Sequence, residues 1–138
     1  MTTAYRRQHA EIAHIAGTLL DLLRRPDAPA RVFDARALLA ALDDVVDTHL
    51  TLEDKGLYPR LLAPSDAELR AAARDCHDET GGLRRVFRGY MDAWTDVATI
   101  DGRFASFRAE TRAVLSRLDS RMRREREELF PVLDRLGW

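Results

Sequence analysis

The sequence predicts an all-α protein, an up-down-up-down four-helix bundle, and three observations carry that expectation. Apolar residues recur at alternating steps of three and four along four separate stretches. Proline, glycine and aspartate clusters punctuate the chain between those stretches. No segment alternates apolar and polar residues as a half-buried strand would. Helices of this length with short connections pack antiparallel to their sequence neighbours. The 138 residues suit one domain, 1–138, with a single good core.

The first helix is expected over residues 3–23, with His9, Ile12, Ala16, Leu19 and Leu23 on its inward stripe and His14 turned off it. Arg25-Pro26-Asp27-Ala28-Pro29 ends it. A second helix begins between Val32 and Asp34, with Asp34 a candidate cap, and its stripe runs Leu38, Leu42, Val45, His49, Leu52, Glu53. Pro59 is expected to kink or stop it. Pro64 and Ser65 mark a turn, after which Ser65 or Asp66 can cap a third helix over 66–97. That helix carries Leu69, Ala73, Cys76, Thr80, Leu83, Phe87, Tyr90 and Trp94 inward, with His77 at the stripe's edge. Gly81-Gly82 is its weak point, each glycine costing about 1 kcal/mol relative to alanine. After a turn at Asp101-Gly102, the fourth helix spans 104–136, with Phe104, Phe107, Thr111, Val114, Leu118, Arg121, Glu125, Leu129, Val132 and Leu136 inward.

Composition excludes several roles. A net charge of −1 leaves no basic footprint for nucleic acid or a membrane surface, so neither is expected as a partner. A single cysteine, Cys76, allows no intramolecular disulfide and reads as a small core residue. Residues 1–20 carry Arg6, Arg7 and Glu11 and no long apolar run. Neither a signal peptide nor a membrane span is expected, and the default location is cytoplasmic.

Polar groups interrupt the core stripes in a repeated pattern. His49-x3-Glu53-x3-Leu57-Tyr58-Pro59-x-Leu61 returns as Arg121-x3-Glu125-x3-Leu129-Phe130-Pro131-x-Leu133. Residues four apart lie one above the other on a helix face. Burying them costs free energy unless each finds a partner, and a metal ion is one partner that satisfies both. His9, His49, Glu53, His77 and Glu125 all lie on or beside an inward stripe. The second and fourth helices of such a bundle are diagonal, so Glu53 and Glu125 can face each other, bridge cations, and leave imidazoles to complete the coordination. Oxygen and nitrogen donors without thiolate suit iron, zinc or manganese, and non-haem iron, one or two ions, is the reading preferred here. Plainer alternatives stand beside it: a solvated His49–Glu53 pair, an Arg121–Glu125 ion pair inside the bundle, a half-exposed His77, and a His9 on a frayed first turn. Glu11-x-x-His14 matches half of a ferritin-like di-iron pattern, but no second copy exists. Tyr58 and Tyr90 lie within reach of the motifs, with hydroxyls the sequence does not place.

On these residues the chain resembles the hemerythrin-like, or HHE, cation-binding domain family. The match is carried by Gln8-His9-Ala10-Glu11-Ile12, by His49-x3-Glu53-x3-Leu57-Tyr58-Pro59, by His77, and by Glu125-x3-Leu129-Phe130-Pro131. It covers nearly the whole chain, and the two Glu-x3-Leu-aromatic-Pro segments are its most specific part. The resemblance implies a carboxylate-bridged di-iron site that binds O2, peroxide or NO, or that senses or stores iron. It implies that His9 and His49 hold one iron, that His77 holds part of the other, and that Glu53 and Glu125 bridge. Two positions depart from the pattern. The family's fourth helix carries His-x3-Glu where this chain has Arg121, which stays cationic and cannot ligate a metal. Ala73 stands where oxygen-carrying hemerythrins have a second histidine on the third helix.

Three arrangements remain open: a di-iron site with an open second metal, a single metal, or an empty site in which Arg121 pairs with Glu125 or Glu53. Three functions follow: a protein that binds or activates O2, peroxide or NO; a non-haem iron oxidoreductase whose Arg121 orients a small anionic substrate or stabilises charge on oxygen; or a metal-free helical interaction module.

Overall fold

The computed structural model describes residues 2–63, 66–80 and 82–138. Helix α1 (Thr2–Arg24) forms on the expected stripe, burying His9, Ile12, Leu19 and Leu23. Its first turn is anchored: Thr2 hydrogen-bonds Asp134 and Arg6 pairs with the same carboxylate at 3.0 Å. His9 is therefore held in the interior, 1% exposed, and not frayed.

A 3-10 turn over Ala28–Ala30 leads into α2 (Val32–Leu52). Asp34 lies inside the first turn of α2 and does not cap it. The inward face runs one step round from the expected one, through Leu39, Leu42, Val46, His49 and Leu50, and Leu52 is left 47% exposed. The rod then passes through a π-helical turn, Glu53–Leu57, into α3 (Tyr58–Leu62). In this wide turn the Tyr58 N–H donates to the Glu53 carbonyl five residues back, and Pro59, which lacks an N–H, opens the following helix. The proline thus does not stop the rod.

The third rod is two helices. Asp66 accepts from the Leu69 N–H at 3.1 Å and caps α4 (Ala67–Thr80). Gly82, with φ of 82°, precedes α5 (Leu83–Ala93); only glycine takes that left-handed conformation without steric cost. The Pro64-Ser65 turn and Gly81 lie outside the described residues. Asp101-Gly102, expected as a turn, closes a short helix α6 (Val97–Gly102), which is capped by Asp96.

The fourth rod repeats the design of the second: α7 (Phe104–Arg124), a π turn over Glu125–Leu129, and α8 (Phe130–Arg135) with Pro131 at its start. The extra residue in the π turn shifts the inward face from Val132 and Leu136 to Phe130 and Leu133, leaving Leu136 40% exposed.

Helix α2 packs on α1 and α5, and α7 packs on α1, α4 and α5, so the second and fourth rods lie across the bundle from each other. Two apolar clusters result. The larger includes Ile12, Leu42, Leu50, Phe87, Trp94, Phe107 and Leu118. The smaller holds Leu57, Tyr58, Leu61, Leu69, Cys76, Leu129 and Phe130. Along the second and fourth rods, the motif's buried polar residues fall between these clusters. Among the described residues there is no strand, and no helix is long and apolar enough to cross a membrane.

Candidate metal centre

Three of the four rods contribute to one buried polar layer. His9 comes from α1 and His49 from the last turn of α2, while Glu53 and Glu125 each open a π turn. None of the four is more than 1% exposed. One ligand-type atom from each lies within 4.8 Å of the others. His9 Nε2 is 3.1 Å from His49 Nε2 and 3.0 Å from Glu125 Oε1, and His49 Nε2 is 2.8 Å from Glu53 Oε1. Two donors at right angles, each about 2.1 Å from an ion, stand about 3.0 Å apart, so these separations match the edges of a coordination polyhedron.

The surroundings orient the donors. His49 Nδ1–H donates to Gln8 Oε1 at 2.6 Å, which leaves the Nε2 lone pair facing the cluster. His9 stacks on Phe130, with ring centroids 5.2 Å apart, and Tyr5 sets its ring edge-on to His49. Tyr58 donates its hydroxyl to Glu125 Oε2 at 2.6 Å. Glu53 Oε2 is buried and has no hydrogen-bond partner among the described residues. An orphaned carboxylate oxygen at full burial is costly, and a cation is the group its lone pairs fit.

Arg121 completes the layer from one turn before Glu125. Its guanidinium is 2% exposed and lies 2.7 Å from Asp54, 3.3 Å from Glu53 and 3.5 Å from Glu125. The ring of Tyr58 covers it at 5.3 Å.

The charges interlock. Burial pushes the Glu53 carboxyl up, Glu125 reinforces it, and the result is about 8. Burial also disfavours the His49 cation, but hydrogen bonds to Glu125 and Glu53 outweigh it and bring His49 up to about 9. Glu125 is held well below the usual carboxylate range: burial opposes this, and the hydrogen bonds from His49 and His9 prevail. His9 is lowered by burial. Tyr58 is raised, first by burial and then by Glu125, so its hydroxyl keeps its proton.

A family model described as the hemerythrin HHE cation binding domain matches residues 1–133. The chain belongs to this hemerythrin HHE family. No curated protein and no solved structure gives a match. For a hemerythrin-family cation-binding domain, the cluster of His9, His49, Glu53 and Glu125 is the candidate ligand set.

Of the residues singled out in the sequence, His77 is not brought into the cluster. Cys76 takes the inward place on α4, and His77, one step round, is 41% exposed at its side chain. Tyr58 intervenes, its ring 5.3 Å from that of His77 while its hydroxyl holds Glu125. Glu11 and His14 are both exposed, which leaves the ferritin-like pattern without a buried site. Tyr90 is occupied elsewhere, bonded to Thr111 at 2.6 Å. Burial pushes the Cys76 thiol up to about 12, which keeps it unreactive.

Sequence reasoning gave no role to Gln8 or Asp54, and it named Tyr58 near the motifs without placing its hydroxyl. Each adjoins a motif residue in the chain or across the π turn. The signal for the last two was the repeated proline six residues after each glutamate, which in both rods follows the wide turn.

Proposed function

We propose that this hemerythrin-family domain is a non-haem iron protein that binds or activates O2, peroxide or NO at the His9–His49–Glu53–Glu125 layer. The observation that carries the reading is the convergence of two imidazole nitrogens and two carboxylates on one enclosed point, with Glu53 Oε2 unpartnered. Nitrogen and oxygen donors in this ratio suit iron. Iron held there supplies a centre that binds small oxygen or nitrogen ligands and exchanges electrons with them.

The chain's own residues do the remaining work. Gln8 fixes the tautomer of His49. Phe130 and Tyr5 pack around the imidazoles and limit water. Tyr58 donates its hydroxyl proton to Glu125 Oε2 and holds that carboxylate in place. Metal analysis after anaerobic reconstitution with ferrous iron tests the reading. Retained iron, a near-ultraviolet charge-transfer band on adding azide after oxidation with ferricyanide to the ferric state, and loss of both in His49→Ala are expected; no retained iron in the parent protein contradicts it.

Orientation of a small anionic substrate by Arg121 has weaker support. The guanidinium is buried and already engaged by three carboxylates. An external anion would have to displace Asp54, which also lines a surface cleft of about 590 Å³ with Arg84, Arg85 and Arg88.

A further inference from the structure

We infer that Arg121 serves as a permanent second cation, so that this domain takes a single metal ion at His9, His49, Glu53 and Glu125. The inference rests on the reading that this layer holds metal, and it departs from the paired site that the family resemblance implies. Three observations point to it.

The first is space. The region across Glu125 from the two imidazoles is occupied. Glu125 Oε2, the oxygen that bridging would require, accepts the Tyr58 hydroxyl at 2.6 Å and faces Arg121 Nε at 3.5 Å. The guanidinium is sandwiched between that carboxylate, Glu53, Asp54 and the Tyr58 ring.

The second is donors. A second ion needs ligands of its own, and the helix that should supply them does not. Ala73 and Cys76 face inward on α4, while His77 is half exposed behind Tyr58.

The third is charge. One divalent ion and the guanidinium together carry three positive charges, matched by the carboxylates of Glu53, Glu125 and Asp54. A second divalent ion would leave two positive charges uncompensated inside the bundle, where isolated charge is expensive. Arg121 cannot lose its proton to make room. A guanidinium stays protonated in proteins, and this one is held between Glu53, Glu125 and Asp54.

The test is iron stoichiometry after anaerobic loading with excess ferrous iron and removal of unbound metal, measured by elemental analysis per chain on the 138-residue protein. One iron per chain is expected, and two overturns the inference. No iron overturns the underlying reading of the layer as a metal site, and the inference with it. Arg121→His removes the fixed charge and returns an imidazole to the motif, so it is expected to rise toward two. Arg121→Lys keeps the charge and is expected to stay at one. If Arg121→His folds and remains at one, the guanidinium is not what excludes the second ion and the inference is wrong. Should that variant fail to fold, the parent protein and Arg121→Lys decide, since two irons in either contradicts the argument.

Discussion

Arg121→Met in the metal-free protein isolates what the guanidinium contributes. The side chain is 2% exposed and lies within 3.5 Å of Glu53, Glu125 and Asp54. Removing one partner of a buried ion pair costs roughly 3–5 kcal/mol, because the remaining charge has neither water nor counterion. Glu53, pushed up to about 8, already holds a proton at pH 7 and strands no charge when the guanidinium goes. Glu125, held well below the usual range, is left charged. The lower end, about 3 kcal/mol, therefore applies. An unfolding entropy of about 2.1 cal/mol/K per residue then lowers Tm by about 10 °C for this chain. Circular-dichroism melts in chelator at pH 7 measure it. Adding Glu125→Gln to the same chain is expected to recover part of the loss, since the stranded carboxylate is gone. A fall of under about 3 °C, or a double variant no more stable than the single one, would show that the pair is not what balances this layer.

Three further outcomes follow from the same geometry. Gln8→Leu frees His49 Nδ1 and is expected to weaken iron binding about 10- to 100-fold in a chelator competition, with the helical signal unchanged; equal affinity contradicts the orienting role. Arg126 Nη1 lies 3.5 Å from His9 Nδ1 and favours the tautomer with its proton on Nε2, so Arg126→Ala is expected to tighten iron binding about fivefold, the worth of one modest hydrogen bond. Glu53 at about 8 and His49 at about 9 hold protons at neutral pH that a metal must displace. Affinity is therefore expected to climb as pH rises from 7 to 9, up to about tenfold per unit for each proton displaced, and to flatten above; calorimetry in buffers of differing ionisation enthalpy reads the proton release, and an affinity independent of pH refutes it.

Much of the fold was legible because helical periodicity survives in the residues themselves. The stripes placed His9, His49, Glu53, Arg121 and Glu125 inward, and all five are buried. Periodicity failed where the backbone left the α repeat. A π turn adds a residue that a fixed period cannot anticipate, so Leu136 was expected inside and Leu133 was found there. At Gly82 the third rod breaks, since a left-handed residue cannot continue a helix. His77 sat at a stripe's edge in the sequence, and one step of rotation separates a ligand from a half-exposed side chain; Cys76 took the inward place. The pairing of Arg121 with Asp54 was not visible at all. It joins residues 67 apart in the chain, and only the wide turn at Glu53 brings the aspartate round to the guanidinium.

The most direct check on the account is an anomalous difference map from crystals of the iron-loaded protein, collected at the iron edge. The account predicts one strong peak per chain, about 2.0–2.3 Å from Nε2 of His9, Nε2 of His49 and a carboxylate oxygen each of Glu53 and Glu125. A map with density elsewhere, or with these four side chains turned away from any ion, contradicts it.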